Sequence, residues 1–286
     1  MKNYILVIGT EAGWEERKIA ESARTHGNSV QIISPHEIRV ELHDQGTKIF
    51  LREKDFTAQF KKSRIIFRRV LGSYIKMVGL VFLAANWKIQ FTDTIKSIVS
   101  GLYKTIFLPT IQTQHIRQIP TLFLDQKERL PKKNELTSPY LVKPALGRHG
   151  EGVMVFRSRA ALANHLAKNK IGILVQNYLK ILAEYRVFVV GNESLGSIRK
   201  IPKPGSIAAN YAAGARFEPA KLPSKIVSEA VSICKQQQID IGGVDLALTK
   251  EGFYLLEVNR CPEFRAFSKT TKINVADAIV KFALAK

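Results

Sequence analysis

The chain has 286 residues, enough for about two domains at roughly 150 residues each. Its 45% hydrophobic and 24% charged side chains exclude a largely disordered chain, and 18 Gly and 11 Pro without a period exclude a collagen-like one. The 44 Lys+Arg against 24 Asp+Glu leave a formal net charge of +20, a field that favours anionic partners such as nucleotides, acidic peptides, RNA or anionic membrane over neutral ones.

In chain order, Tyr4 to Ile8 is a continuous apolar run ended by Gly9, as in a buried parallel strand. Glu15 to Arg24 has helical composition and Gly27 closes it. Ser29 to Ile33 and Arg64 to Phe67 read as further strands, and the alternation predicts an open α/β sheet. Met77 to Ala85 is too short for a membrane span and reads as a buried helix. Thr92 to Gln114 is expected to be mostly helical with a break at Pro109, and Gln126 to Ser138 is a polar loop. From Tyr140 short strands crowd together: Tyr140–Pro144, Gly152–Phe156, Gly172–Gln176, Tyr185–Val190 and Leu195–Lys200, with a helix over Arg159–Lys168. A long helix, Ser224–Gln238, precedes strands Gly242–Ala247 and Phe253–Val258, and a last helix covers Val275–Ala285.

The two cysteines, Cys234 and Cys261, build no disulfide framework, and the start of the chain reads as a strand instead of a leader peptide. Both point to a reducing cytoplasm. Cys261 reads as a packing residue, His149 as a solvent-facing loop residue and not a general base, and His115, His165 and the N-terminal histidines show no metal-ligand spacing.

Two segments carry residues suited to phosphate chemistry. In Leu141-Val-Lys143-Pro-Ala-Leu-Gly147-Arg-His-Gly150-Glu-Gly152 a strand delivers a lysine to a loop with three glycines, whose backbone N–H groups can approach phosphate oxygens. The spacing is neither that of a Walker A loop nor of a dinucleotide fingerprint, and the plainer reading is a glycine-rich hairpin. In Gly243-Val-Asp245 and Glu257-Val-Asn259 a charge interrupts each of two apolar strands. Two carboxylates and an amide are oxygen donors suited to Mg²⁺; the plainer reading is structural carboxylates paired with cations. Between these segments, Val175-Gln176-Asn177-Tyr178-Leu179 runs from a strand into a polar turn, and Glu184 and Arg186 follow.

The ordered set Lys104, Lys143 with the Gly147–Gly152 loop, Gln176-Asn177-Tyr178, Glu184-Tyr-Arg186, Asn210, Gly-Val-Asp245 and Glu257-Val-Asn259-x-x-Pro262 resembles the ATP-grasp superfamily, and within it the RimK-like carboxylate–amine ligases. The tail Ser268-Lys269-Thr270-Thr271 is similar to the segment that closes RimK-like chains. The likeness runs from about residue 100 to the end.

The resemblance implies an α/β and α+β chain with the ATP-grasp fold: an N-terminal α/β pre-ATP-grasp domain at 1–98, a central lid at 99–178 and a C-terminal subdomain with a metal site at 179–286. It implies that Lys104, Lys143, Gly147, Gly150 and Gly152 contact ATP phosphates, that Gln176, Asn177, Tyr178 and Leu179 form the adenine hinge, and that Glu184 holds the ribose. Asp245, Glu257 and Asn259 would hold Mg²⁺, or Mn²⁺ in its place, while Lys143, Asn210, Arg186 and Lys200 would serve the reaction. The implied activity is ATP-dependent amide formation through an acyl phosphate, adding an amino acid such as glutamate to an acidic peptide, protein or cofactor. A homo-oligomer is permitted and no membrane partner is implied.

The chain departs from the family pattern around the substrate: Asn177 in the hinge, Ala208 before Asn210, Ala212-Ala213-Gly214-Ala215 after it, and Pro262-Glu263-Phe264 beyond the metal residues. Those departures keep a second expectation open, a nucleotide-binding module with little turnover. A third, a basic nucleic-acid-binding protein, rests on charge alone, since no RNA-recognition motif, zinc spacing or basic tail is present. Within enzymes, D-alanine, glutathione-like or carrier-protein substrates stand as alternatives to glutamate.

Overall fold

A computed structural model describes the chain except residues 1–2, 11–12, 69–72, 102–107, 127, 133–134, 146–151, 170 and 203–214. Lys104, Gly147, His149, Gly150 and Asn210 therefore lie outside the described residues.

The first strand, β1 (Tyr4–Ile8), is followed by α1 (Trp14–Thr25) and β2 (Ser29–Ile33). Next comes a small antiparallel ribbon of β3 (Ile38–His43), β4 (Gly46–Leu51) and β5 (Lys54–Asp55), then α2 (Thr57–Lys62), β6 (Arg64–Phe67) and α3 (Tyr74–Asn86). β1 lies between β2 and β6, parallel to both. Both faces of this sheet are covered, which is why β1 is apolar at every position. Leu6 and Ile8 point to the side of Phe60, Met77 and Leu80 from α2 and α3, while Ile5 and Val7 meet Ile19 and Ala23 of α1.

Of the mostly helical stretch expected over Thr92–Gln114, residues 102–107 lie outside the described residues and the others are helical only in part. They hold α4 (Ile95–Ser100), capped by the Thr94 side chain, and a short 3₁₀ turn at Leu108–Thr110. Asp93 has a left-handed backbone at φ 63°, and its carboxylate accepts from the backbone N–H of Asp240, so this stretch follows a tertiary tie instead of its helical composition.

A strand β7 (Ile116–Gln118) leads into β8 (Thr121–Leu124), β9 (Tyr140–Pro144), β10 (Met154–Phe156), α5 (Arg159–Lys168) and β11 (Ile173–Asn177). Four of these form an antiparallel sheet in the order β10-β9-β11-β8. Leu162 and Leu166 of α5 cover it by packing on Tyr140, Val142 and Val175. The remaining elements are β12 (Ala183–Val190), β13 (Glu193–Ile201), β14 (Arg216–Ala220), α6 (Ser224–Gln236), β15 (Ile241–Thr249), β16 (Gly252–Arg260), α7 (Arg265–Thr271) and α8 (Val275–Ala285). They build a six-stranded sheet in the order β14-β13-β12-β15-β16-β7, antiparallel except for the β16–β7 pair.

Strand alternation divides this large sheet. Val187, Val189, Val244 and Leu246 face α6, whose Ile226, Ala230 and Ile233 are fully or almost fully buried. Each such isoleucine contributes roughly 1.5–3 kcal/mol. The alternate residues of the same strands, among them Arg186 and Asp245, face away from α6. The last helix, α8, turns back to the first sheet: Ile279 and Val280 pack with Ile5, Val7 and Ile66. Gly191, at φ 62° in the β12–β13 turn, makes room for α8, since a Cβ there would lie 2.7 Å from the Phe282 ring.

Candidate active site

Antiparallel register sets the charged residues side by side. Arg186 on β12 is the partner of Asp245 on β15, Asp245 is the partner of Glu257 on β16, Gly243 pairs with Asn259, and Glu184 pairs with Lys200 on β13. Four neighbouring strands thus present Glu184, Arg186, Lys200, Asp245, Glu257 and Asn259 on one face. Between the Asp245–Glu257 and Leu246–Leu255 pairs, Leu256 has no partner, a bulge in β16. It lets Leu256 and Glu257 share the site face while Leu255 and Val258 both turn to the α6 core.

Asp245 is the hub. Its Oδ1 accepts from Arg186 Nε and its Oδ2 from Arg186 Nη2, both at 2.7 Å, a fork-to-fork ion pair. Lys200 Nζ lies 2.7 Å from Oδ2, and the Asn259 amide donates to the same oxygen at 3.2 Å. Asp245 is 5% exposed. Burial alone would raise its carboxyl; Arg186 and Lys200 overcome that and hold it below the usual carboxylate range. Burial likewise opposes the Arg186 charge, and Asp245, with Glu257 and Glu263 behind it, holds the guanidinium protonated. Glu263, next to Pro262 in the chain, was not among the sequence candidates; only its position four residues after Asn259 pointed to it.

Glu184 behaves in the opposite way. Burial pushes its carboxyl up, and the Asp245 charge adds to the rise, while Lys200, Lys143 and Arg186 pull it down without winning. Lys143 sits on β9, paired with Leu174 of β11, so the four-stranded sheet brings its lysine within electrostatic reach of the six-stranded sheet. Gly152, just before β10, has φ 69°, and a Cβ there would lie 2.7 Å from Pro144 Cγ. The end of β9 and the start of β10 therefore approach as only glycine permits.

The hinge residues sit at the β11 end of the smaller sheet. Gln176 is buried, its Nε2 donates to Thr121 Oγ1 at 2.8 Å, and its Oε1 has no hydrogen-bond partner among the described residues. Asn177 Oδ1 accepts from Thr137 N–H. The Tyr178 N–H donates to Pro139 C=O at 2.9 Å, so that donor is committed within the chain. Leu179 packs with Ile119, Ala247 and Leu256 on the large sheet.

The oxygen donors of Asp245, Glu257 and Asn259 are those a hard divalent cation takes. Both Asp245 oxygens already meet nitrogen donors, whereas Asn259 Oδ1 accepts no hydrogen bond among the described residues. Among the described residues, no group of three or more His, Cys, Asp or Glu side chains gathers as an all-protein metal cage. The set fits Mg²⁺, which keeps part of its shell for water and phosphate oxygens and needs one or two carboxylates from the protein.

The RimK-like ATP-grasp domain profile matches residues 102–283. The chain belongs to the RimK-like ATP-grasp family. It is an ATP-grasp ligase. A relative named "Probable alpha-L-glutamate ligase 1", from Shewanella amazonensis, is 25% identical over 295 residues, covering 99% of this chain and 95% of the relative. Among solved structures, the ATP-grasp ligase PsnB complexed with a minimal precursor superposes with a TM-score of 0.74 at 14% identity, covering 99% of each chain. The macrocyclase MdnC bound with its precursor peptide MdnA, from Microcystis aeruginosa, superposes with a TM-score of 0.71 at 14% identity, over 99% of this chain and 100% of that one. The ATP-grasp architecture expected from the sequence is thus the fold of this ligase. No helix among its described residues is long and apolar enough to cross a membrane.

Proposed function

We propose that this ligase uses ATP to activate a carboxylate and joins it to the amino group of an amino acid, glutamate first among them, with an acidic peptide, protein or cofactor as acceptor. The observation that carries the reading is the convergence of Arg186 and Lys200 on Asp245, with Lys143 approaching from the other sheet. Three cations over a floor of carboxylates suit a transferring phosphoryl group, where negative charge must be matched in a dry site.

In this reading the nucleotide lies between the parts at 99–178 and 179–286, with 1–98 completing the acceptor side. Gln176 to Leu179 meet the base; because Tyr178 N–H is already bonded, base recognition falls to the remaining backbone groups and to the unpartnered Gln176 Oε1. Glu184 takes the ribose hydroxyls. Lys143, Gly152 and the sequence positions Lys104, Gly147 and Gly150 hold phosphates. Glu257 and Asn259, with Asp245, would hold Mg²⁺ or Mn²⁺, which supplies charge neutralisation at the phosphoryl oxygens.

The substrate carboxylate oxygen attacks the γ-phosphorus and ADP leaves, giving an acyl phosphate. The amine nitrogen then attacks the acyl carbon, and phosphate leaves with the amide formed. Arg186 and Lys200 orient the phosphoryl oxygens through fixed donors, and the sequence position Asn210 serves the same step. Closure of the smaller sheet over the larger excludes water, which would hydrolyse the acyl phosphate. The name of the Shewanella relative supports glutamate, and the precursor peptides bound by PsnB and MdnC support a peptide acceptor. The +20 charge supports an acidic one.

The test incubates the enzyme with ATP, Mg²⁺, glutamate and acidic peptides and follows phosphate release with product mass. A product lighter by one water than its two substrates, lost in Glu257→Ala, is the expected result. At subsaturating acceptor the rate should fall as salt rises; a salt-independent rate removes electrostatic recruitment. Tight ATP binding without turnover on any acceptor would favour the nucleotide-binding module.

A further inference from the structure

Outside the sheet that carries Asp245, the β3–β4–β5 ribbon leaves its β3 edge without a strand partner among the described residues, with the Ile38 carbonyl accepting from Lys76 Nζ of α3 at 3.0 Å. β3 is the outer strand of its sheet, and no described strand pairs with its free side. Its face toward α3 carries Ile38, Val40 and Leu42, of which Ile38 is buried and Leu42 is 84% exposed. Ile75, on α3, is 93% exposed and Phe82 is more than half exposed on the same helix. Together they line an open groove of about 1450 Å³ between ribbon and helix. That is wider than the roughly 300–1,000 Å³ of a small-molecule site, and so much apolar side chain in water marks a protein-docking surface.

The opposite face of β3 carries Arg39 and Glu41, which bond each other at 2.7 Å, while Arg39 also reaches Glu53 at 3.3 Å. This order of residues is self-complementary. If two β3 strands meet antiparallel across a two-fold axis through Val40, Arg39 lies opposite the partner's Glu41 and Glu41 opposite the partner's Arg39. On the other face Val40 meets the partner's Val40 and Ile38 meets the partner's Leu42. A slip by one residue sets charge against apolar side chains. A slip by two sets Arg39 against the partner's Arg39, or Glu41 against the partner's Glu41. One register among these satisfies both faces at once.

We propose that β3 is a homodimer seam: two copies pair through it into one continuous six-stranded ribbon, with both grooves closed over Leu42, Ile75 and Phe82. Self-complementarity about a two-fold is what a second copy requires and what an unrelated partner has no need of. Exposed edges are ordinarily guarded by charge; here the same two charges reject wrong registers and match in the right one.

The full-length protein tests this by light scattering and native mass spectrometry. Twice the 32.1 kDa chain mass is expected at micromolar concentration. Glu41→Arg, placing arginines opposite each other, should raise the dimer dissociation constant at least about tenfold. Arg39→Glu should do the same, and Arg39→Glu with Glu41→Arg should restore the dimer, which a folding defect would not do. Under mild oxidation Val40→Cys should form a covalent dimer and Leu42→Cys should not, the native cysteines being buried. A monomeric wild type, a dimer indifferent to Glu41→Arg, a charge swap that fails to restore it, or equal crosslinking at 40 and 42 would each overturn the seam.

Discussion

Arg186 and Asp245 are register partners on β12 and β15, and their side chains close two parallel 2.7 Å hydrogen bonds in a site that water barely reaches. Lys200 adds a third nitrogen to the same carboxylate. A buried ion pair of this kind adds little net stability over apolar packing, yet removing one member leaves a charge uncompensated.

Arg186→Met should therefore destabilise the fold, by at most about 3 kcal/mol because Lys200 still pairs with Asp245. Asp245→Asn alone leaves both Arg186 and Lys200 without their shared anion and should cost more, while the double variant, with one cation fewer to compensate, should cost less than the sum of the two. Denaturant unfolding of the two single variants and the double variant reads this directly. Simple additivity would show that the pair is not coupled. On the proposed function turnover is lost in all three, so stability that is partly kept in the double variant without turnover separates chemistry from folding.

Glu184 gives a pH-dependent counterpart. Burial raises its carboxyl above the ordinary glutamate value of 4.5, and the Lys200 charge opposes the rise without cancelling it. The folded state thus holds this proton more tightly than the unfolded state, so ionisation disfavours folding. Glu184→Gln should equal wild type in stability below pH about 4.5 and exceed it as pH rises through the folded value. Nucleotide binding should move the other way, weaker in the variant at neutral pH. Thermal melts across pH with and without nucleotide distinguish the two trends.

The buried thiols should be silent. Burial pushes Cys234 up to about 12 and Cys261 up to about 11. Cys234 lies on the buried face of α6, and the Cys261 thiol donates to Phe67 C=O at 3.1 Å. Thiol reagents at neutral pH should modify neither until the chain unfolds. Because the unfolded thiols ionise near 9.0, each loses the protein about 1.4 kcal/mol per pH unit from there to its folded value. The stability advantage of wild type over Cys234→Ala should shrink above pH about 9 at that rate. Rapid labelling of the native protein would contradict the burial.

The elements legible in the sequence were those with a strong local period or a continuous apolar run. β1, α1, β2, β6, α5, α6, β15, β16 and α8 all stand within two residues or so of where composition places them. The ribbon that contains β3 was missed although Arg39 and Glu41 alternate with Val40 and Leu42 at strand period, because its short, mostly exposed strands hold no continuous apolar run. After Thr92 the described residues are helical only in part, over Ile95–Ser100 and the turn at Leu108–Thr110, because Asp93 is held by Asp240 and Arg260 across the fold.

By itself the sequence determined the order of strands and helices, the lysine ahead of a glycine loop, and the oxygen donors Asp245, Glu257 and Asn259 on neighbouring strands. These are local properties, set by side-chain period and by which residue types interrupt an apolar run. Only the tertiary structure decided that Arg186 and Lys200 neutralise Asp245, that Leu256 bulges so Glu257 shares its face, and that α8 closes the first sheet. Each of those depends on strand register and on contacts between residues far apart in the chain, which no local pattern encodes.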